Sequence, residues 1–347
     1  MKTIACLLLL GSPLLPARTW TDIKGRALEA DLVRVEADAV IVNRNGTEIS
    51  IKLGTLSQAD QAHVEQWRKD HSTGEPAAAP AAPGTITLDG KPIETGGKMN
   101  LIEKPYSPET LKDLAKHYGE SGGTGDSFPD SKKSADGLET GLKLAVAVPK
   151  DFDPTKPMNV FIVITAVNNE AERAAGNIPK FRMYGKSCVE NGWICLAIDS
   201  NNGVPMSFAA YDEAFALIEK SWSGFSGSRF ATGGFSGGSK GCWGSVAWLV
   251  KTKRNAVGVF MGGCNEDFSE RFRQQLSAPS SGYRKIRAFM STGKTDAIAN
   301  IAQAESVKKS LKANDVKNVR FEIHDGGHSL FAEHFVEALK WWAEPEK

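Results

Sequence analysis

Little in this sequence favours metal, membrane or nucleic acid. Cysteine is scarce, 5 in 347 residues, and no two stand at the short paired spacing of a zinc site. Neither charge is in excess: 42 Lys and Arg face 41 Asp and Glu, so the chain has no bulk electrostatic pull toward polyanions. No nucleic-acid partner is expected. No apolar run reaches the ~20 residues a spanning helix needs, so no transmembrane segment is expected. Histidine is rare as well, and 6 residues make a short roster of general bases. Against these shortages stand 41% hydrophobic residues, enough for a real core, and 34 glycines whose clustering marks the places of interest.

The first 17 residues read as an export signal. Lys2 supplies the positive end, Ile4 to Leu10 the apolar run, and Leu15-Pro16-Ala17 a cleavage site, so the mature chain is expected to start near Arg18. A secreted or periplasmic location follows. Removing the signal discards Cys6 and leaves Cys188, Cys195, Cys242 and Cys264. An even number permits two disulfides in three connectivities; four buried thiols are the alternative.

Three regions succeed the signal. Residues 18–70 read as a small β domain. Leu28 to Val35 and Val40 to Val42 are β-prone, Asn45-Gly46 is a hairpin turn, and Ile49, Ile51 and Leu53 alternate with polar residues. Ser57-Gln58-Ala59-Asp60 predicts a capping box opening a helix that carries Val64 and Trp67. Residues 71–85, rich in proline spaced by alanine, read as a semi-rigid linker. Residues 86–141 read as a connecting segment, with a strand near Ile86 and Leu88, a helix from Pro108 to Tyr118, and a polar loop from Ser121 to Asp136.

Arg18-Thr19-Trp20-Thr21-Asp22, Gly25 to Ala30, the turn at Asn45-Gly46 and Leu56 to Asp60 together resemble the SLA-one homology domain (SHD-one). The resemblance implies an SH3-like module and, from the family's adaptor members, a peptide or protein partner. A spacing or stabilising domain is the alternative.

From residue 142 to 347 strands and helices alternate. The strands are placed at Leu142–Val148, Val160–Thr165, Trp193–Ile198, Phe230–Gly233, Ala256–Met261, Ile286–Ser291 and Val319–Ile323. The helices are placed at Ile178–Glu190, Phe208–Ser221, Gly238–Val250, Phe268–Leu276, Ala297–Ala313 and Phe331–Trp342. Near-continuous apolar strands point to a parallel sheet covered on both faces, hence a doubly wound α/β domain. Its active site belongs at the carboxyl ends of the strands.

Gly234-Phe235-Ser236-Gly237-Gly238 fits G-x-S-x-G between a strand and a helix of small residues, the context of an exposed nucleophile. The near-copy Gly224-Phe225-Ser226-Gly227-Ser228 has no strand before it and reads as loop. Serine needs a base. His63, His71 and His117 precede the catalytic region, His324 ends the last strand and His334 sits on the final helix. His328, in Asp325-Gly326-Gly327-His328, is therefore the candidate base. Chain order Ser, Asp, His selects Asp296 as the acid that orients it, with Glu266 and Asp267 in reserve. Capping the following helix is the competing use of Asp296. The backbone N–H of Gly237 is one expected oxyanion donor, and a second is placed near Ala166 or Val167. His324 and His328 have H-x-x-x-H spacing, but Gly326-Gly327 between them speaks against a helical metal site.

Val146-Ala147-Val148-Pro149, Asp151 to Pro154, the serine motif, Asp296 and Gly327-His328 resemble the α/β-hydrolase superfamily. Within it, the similarity is to secreted esterases of the polyhydroxybutyrate-depolymerase and feruloyl-esterase-like group. The resemblance implies a cofactor-free serine esterase acting on a small-molecule or polymer-linked ester. Relatives often carry His-Gly after the oxyanion strand, where this chain reads Thr165-Ala166-Val167. A peptidase with the same triad, or a peptide- or envelope-binding protein with an inert hydrolase fold, are the alternatives. Trp243, Met261, Met206 and Phe331 are candidates for an acyl or aryl pocket, with core packing the competing role.

Overall fold

A computed structural model of the chain describes residues 18–35, 39–44, 47–71, 85–120, 141–165, 181–198 and 208–345. The stretch read as an export signal, the expected turn at Asn45-Gly46, most of the expected linker, the expected loop from Ser121 to Asp136, and Ala166, Val167 and Met206 lie outside the described residues. The chain divides into two compact units, Met1–Pro80 and Ala81–Lys347.

In the first unit, β1 (Arg18–Thr21), β2 (Ala27–Val35), β3 (Ala39–Arg44) and β4 (Thr47–Lys52) pair in sequence order as an antiparallel sheet. Helix α1 (Gln58–His71) follows. Trp20, Ala30, Val40, Val42, Leu56 and Val64 form the core, and the Trp20 indole donates to the Ala30 carbonyl at 3.1 Å. The expected capping box is only half made. Ser57 Oγ accepts from Asp60 N–H at 3.2 Å, but the Ser57 N–H goes to the Thr21 carbonyl at 2.7 Å. The Asp60 carboxylate instead takes the Arg18 guanidinium at 2.9 Å and the Thr21 N–H at 2.8 Å. A side chain expected to cap its own helix thus ties that helix to β1.

The second unit is built on eight strands: β7 (Asn100–Pro105), β8 (Gly141–Ala147), β9 (Asn159–Ile164), β10 (Trp193–Ile198), β11 (Arg229–Phe235), β12 (Asn255–Gly262), β13 (Arg287–Gly293) and β14 (Asn318–His324). Their spatial order is β7-β8-β10-β9-β11-β12-β13-β14. Every pairing from β10 to β14 is parallel, and β8 runs against both neighbours. This is the α/β-hydrolase sheet expected from the sequence. Strand β7 lies within the segment read as a connection. Its short, mixed-polarity run gives no alternation signal, yet Asn100 to Pro105 pair with Val146 to Gly141 and close one edge. A small hairpin, β5 (Thr87–Leu88) with β6 (Lys91–Pro92), and α2 (Pro108–Glu120) also belong to this stretch.

The remaining described helices are α3 (Phe181–Glu190), α4 (Ala209–Ser221), α5 (Gly237–Lys251), α6 (Ser269–Gln275), α7 (Ser280–Tyr283), α8 (Ile301–Ala313) and α9 (Ala332–Ala343). Alternation along the strands sorts the core onto two faces. Leu142, Leu144 and Val146 of β8 pack with α4, α5 and α8, whereas Ala145 and Ala147 pack with α3 and α9. All four described cysteines are free and buried. Cys188 and Cys195 lie on the α3/α9 face, Cys242 and Cys264 on the other, so two of the three connectivities would have to cross the sheet.

The switch in strand order falls at β9, where the chain moves to β10 on one side and returns to β11 on the other. The crevice at the carboxyl ends of β9 and β11 is where such a sheet places its site. On the α3/α9 face the packing leaves no slack: a Cβ at Gly258 would lie 2.3 Å from the Trp342 indole, which donates to the Arg287 carbonyl at 2.9 Å. Gly258→Ala is expected to destabilise the protein by about 1–3 kcal/mol through overpacking, measured by chemical denaturation.

Candidate active site

The serine motif lies where β11 ends and α5 begins, beside the switch point. Ser236 has φ 57° and ψ −120°, a conformation that costs a non-glycine residue about 1–3 kcal/mol. Neighbouring backbone holds it there. The Ser236 N–H donates to the Gly262 carbonyl at 2.8 Å, and its own carbonyl receives the Ser239 N–H at 3.0 Å and the Ser239 hydroxyl. Both motif glycines are dictated by contact with the end of β9. A Cβ at Gly234 would sit 2.1 Å from the Ile164 carbonyl oxygen, and one at Gly238 2.5 Å from the same atom. Gly237 opens the helix, so its N–H is one of the groups without an intrahelical partner. The near-copy behaves differently. Phe225–Gly227 is a single 3-10 turn leading into the opposite end of β11, and Ser226 there is exposed with no positive φ.

Asp296 and His328 come together. His328 Nδ1 lies 2.8 Å from Asp296 Oδ2, and the Asp296 side chain is 1% exposed against 18% for His328. The other carboxylate oxygen, Oδ1, accepts from Ile298 N–H at 2.8 Å and Ala299 N–H at 2.7 Å. The two uses weighed for this aspartate are therefore divided between its oxygens, one toward the ring and one toward the backbone. It does not cap the helix itself. Helix α8 starts at Ile301 rather than Ala297, capped by Asn300 and Gln303 in a reciprocal box. Burial raises the Asp296 carboxyl, but the Ala299 N–H, the His328 ring and the Ile298 N–H outweigh it and hold the group below its ordinary value.

Backbone lacing fixes the two loops to each other. Lys294 N–H donates to the His324 carbonyl at 2.8 Å and Thr295 N–H to the Gly326 carbonyl at 3.2 Å. Gly293 sits beneath them, where a Cβ would lie 2.2 Å from the Gly326 carbonyl oxygen. Toward Ser236, the His328 ring packs on Phe235 with centroids 4.6 Å apart. Phe235 immediately precedes Ser236. Gly263, at φ 56°, makes room for the imidazole, since its Cβ would stand 2.9 Å from His328 Cε1. No spacing rule in the sequence singles out Gly263 or Gly293; only the fold makes them necessary.

The reserve acids are occupied elsewhere. Asp267 takes the Ser269 N–H, the Ser310 hydroxyl and the Asn314 amide, and Glu266 lies 3.5 Å from Lys240. His63 packs edge-on to Trp20 in the first unit, His71 ends α1 and His117 lies in α2. His334 faces Ser291 at 2.9 Å and is held below the ordinary histidine value by burial. Of the pocket candidates, Trp243 and Met261 are fully buried core, Trp243 stacked on Tyr283, and Phe331 stacks on His324. Core packing claims the first two. His324 Nδ1 accepts the Gly326 N–H at 3.1 Å, so the H-x-x-x-H pair divides its ring nitrogens between a loop amide and Asp296.

Several solved structures are similar to this chain at low identity. A protein from Klebsiella pneumoniae named as a dienelactone hydrolase is matched over 72% of this chain and 100% of its own, at 12% identity and a TM-score of 0.42. A ferulic acid esterase is matched over 70% and 96%, at 14% identity and 0.39. An esterase from Thermogutta terrifontis, solved with propionate, is matched over 58% and 86%, at 16% identity and 0.39. No family model matches the chain, and no curated protein matches its sequence. With similarity this low, any reading of function has to rest on the side chains.

Three outcomes follow from this geometry. Gly238→Ala is expected to cost about 1–3 kcal/mol or more in chemical denaturation. Gly241→Ala, whose Cβ would meet only Ile164 Cγ2 at 3.4 Å, should be neutral or slightly stabilising in the same helix. For Asp296, a folded-state value held below the ordinary carboxylate value means its stabilisation is present above that ordinary value and is lost as pH falls through the folded one. The stability difference between the wild type and Asp296→Asn should therefore shrink below about pH 4, read from denaturation midpoints across acid pH.

Proposed function

We propose that the protein is an exported serine esterase that hydrolyses carboxylic esters through an acyl-enzyme. Ser236 is the nucleophile, His328 the base and Asp296 its orienting acid. The observation that carries this reading is the convergence of a left-handed serine at a strand-to-helix turn with a carboxylate-bound imidazole packed against the residue before it.

In the reaction, Ser236 Oγ attacks the ester carbonyl carbon while His328 Nε2 takes the hydroxyl proton. Asp296 Oδ2 accepts the Nδ1–H, fixing the tautomer and stabilising the imidazolium. The tetrahedral oxyanion is received by the Gly237 N–H and by a second backbone donor near Ala166 or Val167. Collapse breaks the bond to the alcohol, which leaves with the proton from His328. Water then attacks the acyl-serine, giving its proton to His328, and the acid departs as Oγ is reprotonated. Water is the sole co-reactant. The substrate is a small-molecule or polymer-linked ester, and the N-terminal unit is read as an SH3-like module for a peptide or protein partner.

Hydrolysis of p-nitrophenyl acetate and butyrate by the mature protein tests this. Ser236→Ala is expected to lose about 10⁶-fold in kcat and all labelling by a fluorophosphonate, and Asp296→Asn about 10⁴-fold. A folded wild type that neither hydrolyses these esters nor labels would sink the esterase reading in favour of a binding role. Amide cleavage at a comparable rate would make the protein a peptidase.

A further inference from the structure

The loop that carries His328 is short, rich in glycine and exposed: Asp325 and Gly326 stand in solvent, and Gly327 follows. Two consecutive glycines give such a loop many conformations to lose, so the ring of His328 needs something to fix it. Lacing to the Asp296 loop provides part of the restraint through the Thr295 N–H. The other part comes from a side chain that the reaction does not use.

His324 is buried at the end of β14, 5% exposed, and its Nδ1 accepts the Gly326 N–H at 3.1 Å. An N–H donor at that distance requires Nδ1 to be unprotonated. The bond spans two residues, from a side chain at one position to the N–H two further on, as the carboxylate or amide of an Asx-turn does. The imidazole thereby closes the turn that begins the base loop. Its plane is set by the ring column behind it. His324 stacks on Phe331 with centroids 4.9 Å apart and planes 6° apart, and meets His334 edge-on at 5.9 Å. His334 is tied to the Ser291 hydroxyl, and the Ser291 carbonyl receives the N–H of Gly263, the glycine against the His328 ring. The same ring lies close enough to crowd a side chain at Gly326, where a Cβ would lie 3.0 Å from His324 Nδ1.

From this geometry we infer that His324 is a positioning residue for His328, acting through the acceptor at Nδ1. The assignment rests on the esterase reading above. An acceptor is what the turn requires, and the stacked ring is what holds the acceptor in place. The two contributions are separable because different substitutions keep different parts. Asparagine places Oδ1 near the position of Nδ1 and keeps the acceptor while losing the stack. Phenylalanine keeps the stack and loses the acceptor.

The experiment compares His324→Asn, His324→Phe and the wild type for kcat and KM on p-nitrophenyl butyrate, for fluorophosphonate labelling rate, and for Tm. Mispositioning of a base by ~1 Å costs about 10²-fold. His324→Phe is expected to lose about 10- to 100-fold in kcat and in labelling rate with KM within about twofold, while His324→Asn stays within about threefold of the wild type. The Tm order is expected to be the reverse, with Asn the more destabilised. A kcat for His324→Phe equal to or above that of His324→Asn, in a wild type that hydrolyses and labels, would overturn the positioning role alone. A wild type that does neither would overturn it together with the esterase reading.

Discussion

The Ile164 carbonyl at the end of β9 is the constraint on which the rest of this site depends. It lies so near β11 and the first turn of α5 that neither Gly234 nor Gly238 has room for a Cβ. The chain passing between those glycines must turn sharply, and Ser236 is left at positive φ with its hydroxyl at the carboxyl end of the sheet. Hydrogen bonds to Gly262 and from Ser239 hold that strained backbone in place. The strain is affordable because the surrounding strands are buried: β9, β11 and β12 are apolar and largely inaccessible on both faces. A cost of about 1–3 kcal/mol is small beside the burial of a few large side chains at about 1.5–3 kcal/mol each.

Parallel pairing from β9 to β14 does the rest. Each of these strands ends at the same edge of the sheet, so loops from β11, β13 and β14 emerge side by side although their residues are far apart in sequence. Were β14 antiparallel, His328 would leave from the opposite edge. Strand β12 contributes no polar side chain to the arrangement, but its end supplies the Gly262 carbonyl that takes the Ser236 N–H, and the next residue, the left-handed Gly263, admits the imidazole.

Much of this was legible in the sequence, for identifiable reasons. Apolar runs such as Val160 to Ile164 and Trp193 to Ile198 announce buried parallel strands, and the glycines around Ser236 announce the turn. Strand β7 was not legible, because Asn100-Leu101-Ile102-Glu103-Lys104-Pro105 is an edge strand whose register comes from β8 rather than from its own pattern. The start of α8 was misplaced for a related reason. An aspartate before a helical run looks like a cap, but here its oxygens serve the 297–299 turn and His328, and Asn300 takes over the capping. Asp60 departs from expectation in a related way: its carboxylate accepts the Ser57 hydroxyl at the helix end but takes the Arg18 guanidinium and the Thr21 N–H as well. In both cases a carboxylate with two oxygens serves a local partner and, with its remaining capacity, a distant one that no local rule contains.

Gly263, Gly293 and His324 show where sequence reasoning stops. Among 34 glycines, nothing marks these two as places where another loop passes too close to leave room for a Cβ. His324 reads as the polar end of a strand, and its acceptor role exists only because Gly326 follows in a turn and Phe331 comes back beneath the ring. The His328 imidazole is thus held both by its own bond to Asp296 and by the backbone on either side of it. The carboxylate can orient the imidazole about one axis, while the location of its Cα is set by the hydrogen bonds from Lys294 and Thr295 and by the turn that His324 closes.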